Sequence, residues 1–172
     1  MDIQQKSQTG KVICHDSNLK PIYSDNSYII SNGPVFDYER NVGYVTDSIK
    51  RIIYIFSIND LSGNGINKKV FLSMNKIDGN PDGMTVDKNG NLWVAMWGSG
   101  KVCCFDKKGS LKLILQLPVS KVTSCTFGGK DLNELFITTA SVGLNDIEAE
   151  RQPNAGKLFK LVTQEQGYAS NC

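Results

Sequence analysis

The sequence predicts an all-β fold, and three observations support this class. Apolar and polar residues alternate in runs of about five to eight, glycine-containing turn signals separate these runs, and one longer pattern recurs along the chain. A period of two is typical of a strand with one buried face, whereas no stretch combines a helical period with caps at both ends. With 172 residues and 40% hydrophobic content, the chain is long enough for a buried core.

The alternating runs and the turns between them predict the strands and hairpins. The clearest runs are Ile52, Tyr54, Phe56 and Ile58; Leu92, Val94 and Met96; and Leu111, Leu113, Leu115 and Leu117. Turn signals lie at 62–65, 87–90 and 106–109. The Asn-Gly pairs predict type I′ hairpin turns, because both central residues of such a turn need positive φ. Residues 142–154 lack the alternation and predict a loop with one helical turn.

A longer pattern repeats three times and predicts propeller blades. The units begin at 31–33 (SNG), 81–83 (PDG) and 123–125 (TSC), and they end at 51–56, 100–106 and 156–161. The starts lie about 40–50 residues apart, which is the length of one four-stranded blade. A fourth copy of the ending alone, 10–16, opens the chain. The sequence therefore predicts about three blades and part of a fourth.

Three and a half blades do not close a ring, because propellers close with roughly four to eight blades. The two terminal faces would expose strand edges and apolar surface, which invite association. We therefore expect either self-association through the open propeller faces or a longer protein of which this chain is one part. The second alternative is favoured.

Charge and cysteine content exclude several classes of protein. A net charge of +2 with scattered basic residues argues against a nucleic-acid partner, and the longest apolar runs, such as 52–56, are too short to cross a membrane. Residues 1–8 are polar and contain no apolar segment, so we expect no secretory signal. The five cysteines include the neighbours Cys103 and Cys104, which point to opposite faces of a strand, and there is no CxxC spacing. These features predict reduced thiols in a cytoplasmic protein, and the lone histidine, His15, excludes a histidine-based zinc site.

Six stretches then resemble one family. They are 30–33 (ISNG), 44–48 (YVTDS), 80–87 (NPDGMTVD), 90–95 (GNLWVA), 123–129 (TSCTFGG) and 135–140 (LFITTA). In this order and spacing they resemble the C-terminal half of the SMP-30/gluconolactonase/luciferin-regenerating-enzyme (regucalcin-like) family. The resemblance covers about residues 8–162 and leaves 163–172 as a C-terminal tail. It implies that residues 1–172 form part of a six-bladed β-propeller.

The resemblance also shows what this chain lacks. The family's N-terminal half supplies a glutamate metal ligand and an Arg/Asn pair that holds the substrate, and neither has a counterpart here. Met1-Asp2 is similar to an internal stretch of family members. We therefore expect an N-terminally truncated chain, whose start at Met1 reflects an incomplete gene model, an alternative start or true truncation.

The family resemblance implies a metal site at two residues. The Asn of SNG and the Asp of PDG are metal ligands in the family, and they correspond to Asn32 and Asp82. Amide and carboxylate oxygens suit one hard divalent cation, either Ca²⁺, Zn²⁺, Mn²⁺ or Mg²⁺. From the residues alone, Asn-Gly and Asp-Gly are equally ordinary turn sequences, and that interpretation stays open. The implied reaction is hydrolysis of a sugar lactone, with Asp82 as the catalytic proton acceptor.

Three hypotheses for function follow. The first is a divalent-metal-dependent lactonase. As this fragment alone it is expected to be impaired or inactive, because Asp82 is its single anionic metal ligand. The second is a non-catalytic calcium-binding or regulatory protein. The third is a half-propeller that acts only as the partner of another half. The residues that bind the substrate are not identified by the sequence.

Other conspicuous residues favour structural roles. Trp93 and Trp97 lie on one face of a predicted strand, which favours core packing between blades over a sugar platform. Cys125 could face the central channel, but a small buried packing residue is favoured. Asp47 and Asp87 lie at strand ends and are interpreted as turn residues.

Overall fold

The computed structural model describes residues 7–62 and 66–169, and over these ranges the chain is built almost entirely of antiparallel strands. The all-β prediction is confirmed, whereas most of the turn predicted at 62–65 lies outside the described residues. The strands are β1 (Gly10–His15), β2 (Pro21–Tyr28), β3 (Ser31–Asp37), β4 (Val42–Asp47), β5 (Ile52–Ser57), β6 (Lys69–Ser73), β7 (Asn80–Val86), β8 (Leu92–Trp97), β9 (Lys101–Phe105), β10 (Leu111–Gln116), β11 (Val122–Gly128), β12 (Glu134–Thr139) and β13 (Phe159–Val162). A 3₁₀-helix (Ile58–Ser62) follows β5, and one α-helix, α1 (Asp146–Arg151), precedes β13.

The chain divides into two compact units, Met1–Lys76 and Ile77–Cys172. The first contains a two-stranded sheet, β1-β2, and a four-stranded sheet, β3-β4-β5-β6. The second contains a four-stranded sheet, β7-β8-β9-β10, and a three-stranded sheet, β11-β12-β13. The three predicted units begin in β3, β7 and β11, the first strand of a sheet in each case, and end in the third strands β5, β9 and β13.

The core of the first unit lies between its two sheets. Tyr28 of β2 packs with Val45 and Phe56 of the neighbouring sheet, and partly buried apolar residues surround them. The ring of Phe56 covers Gly43, where a Cβ atom would lie 2.4 Å from the ring carbon Cζ. Close packing of an aromatic ring on a strand glycine leaves no room for a side chain at Gly43.

The core of the second unit also lies between two sheets. Trp93 on β8 is 2% exposed, and its ring meets that of Phe127 on β11 edge to face at 5.6 Å. Cys125 is 4% exposed in the same cluster, and burial raises the pKa of its thiol to about 12. The packing roles expected for Trp93 and Cys125 are confirmed. Trp97 is half-buried, and the ammonium group of Lys121 lies 5.5 Å from the centre of its ring.

An aspartate closes the β7–β8 turn. The Asp87 Oδ1 atom accepts hydrogen bonds from the backbone N–H groups of Asn89 and Asn91, both at 2.9 Å, and the N–H of Gly90 donates to the Asp87 carbonyl at 2.9 Å. Gly90 has φ +80°, whereas Asn89 does not have positive φ. The type I′ prediction is therefore wrong here, because the aspartate side chain binds the N–H two residues on and favours a type I turn followed by glycine.

Asp47 and Asp87 are both fully buried and act as backbone anchors. Asp47 Oδ2 accepts from the N–H of Ile29 at 2.8 Å, and its Oδ1 accepts from the N–H of Ile49 at 3.2 Å. Asp87 Oδ2 accepts from the indole Nε1 of Trp93 at 2.9 Å. The turn roles predicted for both aspartates are confirmed, and the Asp87 bond to Trp93 also ties a turn to the core of the second unit.

Residues 142–154 contain the one expected helical turn. Helix α1 begins with a capping box, in which Asn145 Oδ1 accepts from the N–H of Glu148 at 2.9 Å and Glu148 Oε2 accepts from the N–H of Asn145 at 3.0 Å. No helix in the described part of the chain is long and apolar enough to cross a membrane. The four cysteines described there carry free thiols, and Cys172 lies outside it.

Candidate functional site

The same backbone irregularity occurs near the start of the first strand in three sheets. The register shifts lie between Asn32 and Val35 in β3, between Pro81 and Met84 in β7, and between Val122 and Ser124 in β11. A bulge re-aims the side chains beside it and is common next to functional sites. Asn32 borders the first bulge and Asp82 lies within the second, so both predicted ligands occupy the irregular part of a first strand.

Asn32 is half-buried in the first unit, and a neighbouring serine orients its amide. The Asn32 Nδ2 atom donates to the Oγ of Ser48 at 2.8 Å, and Ser48 is itself 6% exposed. The amide oxygen Oδ1 accepts no hydrogen bond from the described residues. Gly33, the next residue, has φ +85°, which favours glycine at this position. The Asn-Gly pair thus forms a bulge and presents an unengaged carbonyl oxygen.

Asp82 lies in the second unit, and its carboxyl group is half-buried. Burial raises the pKa of Asp82 to about 6, and the hydrogen bond from the N–H of Gly83 only partly opposes this effect. No Lys, Arg or His in the described ranges forms an ion pair with it. A desolvated carboxylate without a positive neighbour is electrostatically suited to a cation or to accepting a proton.

Gly83 lets two sheets of the second unit approach beside Asp82. A Cβ atom on Gly83 would lie 2.3 Å from the Oγ and 2.5 Å from the Cβ of Ser124 on β11. The glycine of PDG is therefore required by packing against the next sheet, and Ser124 fills the space that a side chain on residue 83 would need.

Replacing Asp82 with asparagine is expected to stabilise the folded chain at neutral pH. The folded-state pKa of about 6 exceeds the ordinary value of 3.8, so ionised Asp82 opposes folding. This cost is absent below about pH 4, grows between about pH 4 and 6, and is constant above. Because the group is partly solvated, the gain for Asp82→Asn at about pH 8 is on the order of 1 kcal/mol.

Urea unfolding with a chelator present, at about pH 8 and at about pH 4.5, measures this gain. Asp106→Asn is the matched control, since the Asp106 carboxylate accepts backbone hydrogen bonds in a turn and has a lowered pKa. That control is expected to destabilise the chain. An Asp82→Asn effect of the same size at both pH values would contradict the assigned burial of Asp82.

The residues described at 7–62 and 66–169 contain no group of three or more His, Cys, Asp or Glu side chains arranged to hold a metal. The two predicted ligands suit a hard cation individually, because Asn32 offers a free amide oxygen and Asp82 an unpaired carboxylate. Asn32 belongs to the first unit and Asp82 to the second. Each donor by itself is chemically suited to a divalent ion, and Asp82 is the anionic one of the two.

Sequence reasoning missed Ser48 and Ser124. Ser48 orients Asn32 through its hydroxyl group, and the contact joins β3 to the residue that follows its partner strand β4, so it depends on the register of that pair. Ser124 contacts the position beside Asp82. The absence of a side chain at Gly83 was a signal that another element packs there, but it did not identify which one.

Comparison with known proteins gives a consistent family match. The family model described as "SMP-30/Gluconolactonase/LRE-like region" matches residues 1–141. The Bacillus subtilis (strain 168) protein named "Putative sugar lactone lactonase YvrE" is 40% identical over 170 residues, which cover 98% of this chain and 57% of that protein. Regucalcin of Danio rerio is 35% identical over 149 residues, covering 84% of this chain and 50% of its own length. The chain thus spans about half the length of the relatives it matches.

Solved structures show the same fold. The crystal structure of the calcium-binding protein regucalcin from Agrobacterium tumefaciens str. C58 matches 98% of this chain and 57% of its own, with a TM-score of 0.86 and 23% identity. The β-propeller domain of Myceliophteria thermophila Cps50 (Swd1) matches 76% of this chain and 42% of its own, with a TM-score of 0.58 and 15% identity. At these identities the likeness concerns the fold alone, and it agrees with the propeller pattern of the sequence.

Proposed function

Because the chain belongs to the SMP-30/gluconolactonase/LRE-like family, we propose that it carries part of the active site of a divalent-metal-dependent sugar lactonase. Asp82 carries this proposal, since it is a half-buried carboxylate without an ion-pair partner in the described residues and its pKa is raised to about 6. Perturbed pKa values cluster at functional sites, and β-bulges are common next to active sites.

Asp82 acts in this proposal as the general base. As water attacks the lactone carbonyl carbon, the Asp82 carboxylate accepts a proton from it, and the new C–O bond forms. When the ring C–O bond breaks, the proton passes to the departing alkoxide oxygen, which gives a hydroxy acid and regenerates the carboxylate. The reverse sequence closes a hydroxy acid to its lactone.

Asn32 and Asp82 would hold the divalent cation, Asn32 through Oδ1 and Asp82 through a carboxylate oxygen. A bound cation would supply polarisation of the lactone carbonyl. The Asn32 amide nitrogen donates its hydrogen bond to Ser48, and this fixes the orientation of the amide and leaves its oxygen Oδ1 to bind the cation. With one anionic ligand the affinity is expected to be weak, with a Kd on the order of 10⁻⁴–10⁻³ M. The ion is Ca²⁺, Zn²⁺, Mn²⁺ or Mg²⁺.

The chain alone is therefore expected to turn over gluconolactone at least about a hundred-fold more slowly than a full-length relative such as the Bacillus subtilis protein. Assays with added Zn²⁺, Mn²⁺ or Ca²⁺ measure this rate, and calorimetry measures cation binding. Asp82→Asn is expected to abolish both, while Asp106→Asn retains both. Turnover comparable to the full-length relative would contradict the proposed impairment, and unchanged cation binding in Asp82→Asn would contradict the ligand role.

The second candidate is a non-catalytic calcium-binding or regulatory protein. The observation that favours it is the name regucalcin shared by several relatives and by the calcium-binding protein whose structure matches. It predicts Ca²⁺ binding that depends on Asp82 but no chelator-sensitive lactone turnover, even when the chain is combined with the N-terminal half of the Bacillus subtilis relative. Chelator-sensitive turnover in that combination favours the lactonase.

A further inference from the structure

An ammonium group lies at the centre of a polar cluster between the two sheets of the first unit. Lys68, which directly precedes β6, extends its side chain to β2. Its Nζ atom forms an ion pair with the carboxylate of Asp25 and donates a hydrogen bond to the Ser27 hydroxyl at 2.5 Å. The side chains of Lys68 and Asp25 are only 19% and 13% exposed. This ion pair is therefore largely removed from water, and it joins segments that lie 43 residues apart in the sequence.

Two aromatic rings complete the surroundings of this ammonium group. The Nζ atom of Lys68 lies 4.1 Å from the ring centre of Tyr28 on β2 and 4.6 Å from that of Tyr54 on β5. The two rings meet edge to face, with 5.9 Å between their centres and 87° between their planes. Because the attraction between an ammonium group and an aromatic ring is stronger where water is excluded, the 1% exposure of Tyr28 strengthens this contact.

The groups around the ammonium group favour a positive charge at this place. Burial by itself would raise the pKa of Asp25, but the hydrogen bonds from Lys68 and Ser27 outweigh this effect and hold the pKa below its usual value. Burial, followed by the nearby Asp25 carboxylate, raises the pKa of Tyr28, which keeps its hydroxyl group neutral. An ionised carboxylate beside two neutral aromatic rings is an arrangement that attracts an alkylammonium ion.

A second lysine lies next to this cluster but is held by other groups. The Lys50 Nζ atom donates to the backbone carbonyl of Ser27 and lies 3.5 Å from Asp47 Oδ2. Lys50 therefore has a carboxylate partner of its own. Of these two lysines, it is Lys68 that contacts Asp25 and both tyrosine rings.

We propose that four residues form a binding site for a primary alkylammonium group, and that the chain fills this ammonium site with one of its own lysines. The site residues are Asp25, Ser27, Tyr28 and Tyr54, and the occupant is Lys68. The site is built on β2 and β5, whereas its occupant comes from the segment that leads into β6. Lys68 thus holds that segment against the neighbouring sheet, and while it is bound the ammonium site is closed to free amines.

Chemical rescue of Lys68→Ala tests the ammonium site. The substitution removes Cγ, Cδ, Cε and Nζ, and n-propylammonium has the same three carbons and one ammonium group. We expect the variant to unfold at a lower temperature than the wild type, because the Asp25 carboxylate loses its partner. At about 100 mM, n-propylammonium is expected to raise the midpoint of its thermal unfolding by about 2–4 °C, as for a ligand with a Kd on the order of 20 mM. The neutral n-propanol and sodium chloride, at the same concentration, are expected to give no such shift. Tyrosine circular dichroism follows the unfolding.

Matched controls define the specificity of this rescue. In the wild type Lys68 fills the ammonium site, so n-propylammonium is expected to leave the unfolding midpoint unchanged. Lys69→Ala changes the next residue, which is exposed, and is expected to be neither strongly destabilised nor rescued. In the double variant Lys68→Ala with Asp25→Asn, rescue is expected to be lost, because the carboxylate that attracts the ammonium group is absent.

A second measurement uses the wild type and does not depend on the folding of Lys68→Ala. Mass spectrometry after treatment with acetic anhydride compares acylation of the adjacent residues Lys68 and Lys69. Because the Lys68 amine must leave its ion pair to react, we expect its acylation to be at least about ten-fold slower than that of Lys69. Asp25→Asn is expected to bring the two rates closer together.

Two results would overturn the proposal. The first is a folded Lys68→Ala variant that n-propylammonium does not stabilise, or that n-propanol or sodium chloride stabilises equally well. The second is equal acylation of Lys68 and Lys69 in the wild type, and this result counts even when the alanine variant does not fold. Every readout concerns stability or amine reactivity, so failure of the ammonium site is distinguishable from failure of the lactonase proposal.

Discussion

Replacing Asp87 with asparagine is expected to lower the free energy of unfolding by about 3 kcal/mol. Each carboxylate oxygen accepts two hydrogen bonds, Oδ1 from the N–H groups of Asn89 and Asn91 and Oδ2 from Asn91 Nδ2 and Trp93 Nε1. Asparagine has nearly the same shape but carries an NH₂ group. In either orientation this NH₂ faces two donors, which leaves buried donors unsatisfied.

Urea unfolding followed by tryptophan fluorescence measures the Asp87→Asn effect. Asp106→Asn is the control, because Asp106 accepts bonds from the N–H groups of Lys108 and Ser110 in a similar turn without a buried indole partner. We expect the control to have a clearly smaller effect and to leave the emission maximum unchanged. Equal losses of unfolding free energy in the two variants would contradict the prediction, because burial and the hydrogen bond to Trp93 would then add nothing to the stabilisation that the turn hydrogen bonds provide.

Replacing Gly83 with alanine is expected to lower the free energy of unfolding by about 2–3 kcal/mol. The new Cβ would lie 2.3 Å from the Oγ, 2.5 Å from the Cβ and 2.9 Å from the Cα of Ser124. A change of rotamer moves the hydroxyl but neither carbon, so the two sheets of the second unit must separate. Because Asp82 precedes Gly83, the same shift is expected to reduce cation binding.

The double variant Gly83→Ala with Ser124→Gly tests this explanation. Removing the Ser124 side chain eliminates two of the three close contacts, so about half of the lost stability is expected to return. Unfolding of the wild type, both single variants and the double variant forms a complete cycle. Additive losses in that cycle would contradict a direct clash between residues 83 and 124.

Much of the fold could be predicted from the sequence because its signals are local. Alternating apolar residues and glycine turns place β3, β7 and β11 at the starts of the repeated units, and the structure agrees. The type I′ prediction at 87–90 is wrong, because the Asp87 side chain competes for the turn N–H groups. Local propensity describes a turn backbone well only when no side chain binds it.

The candidate site could be predicted only in part. The family resemblance indicated Asn32 and Asp82, and both lie at bulges of first strands. The raised pKa of Asp82 depends on desolvation by its surroundings, and the orientation of Asn32 depends on Ser48. Both effects arise only in the folded chain, the second across the β3–β4 pair, and no single-sequence pattern contains them. The shared cation at Asn32 and Asp82 stays a prediction.

The distribution of aromatic residues makes the two compact units spectroscopically separable. Both tryptophans, Trp93 and Trp97, belong to the second unit, whereas five of the six tyrosines lie in the first. Excitation at the red edge of the absorption band, where indole alone absorbs, therefore follows melting of residues 77–172. Tyrosine signals are dominated by residues 1–76. Unfolding followed by these two intrinsic signals can thus reveal whether the two units unfold together or one after the other.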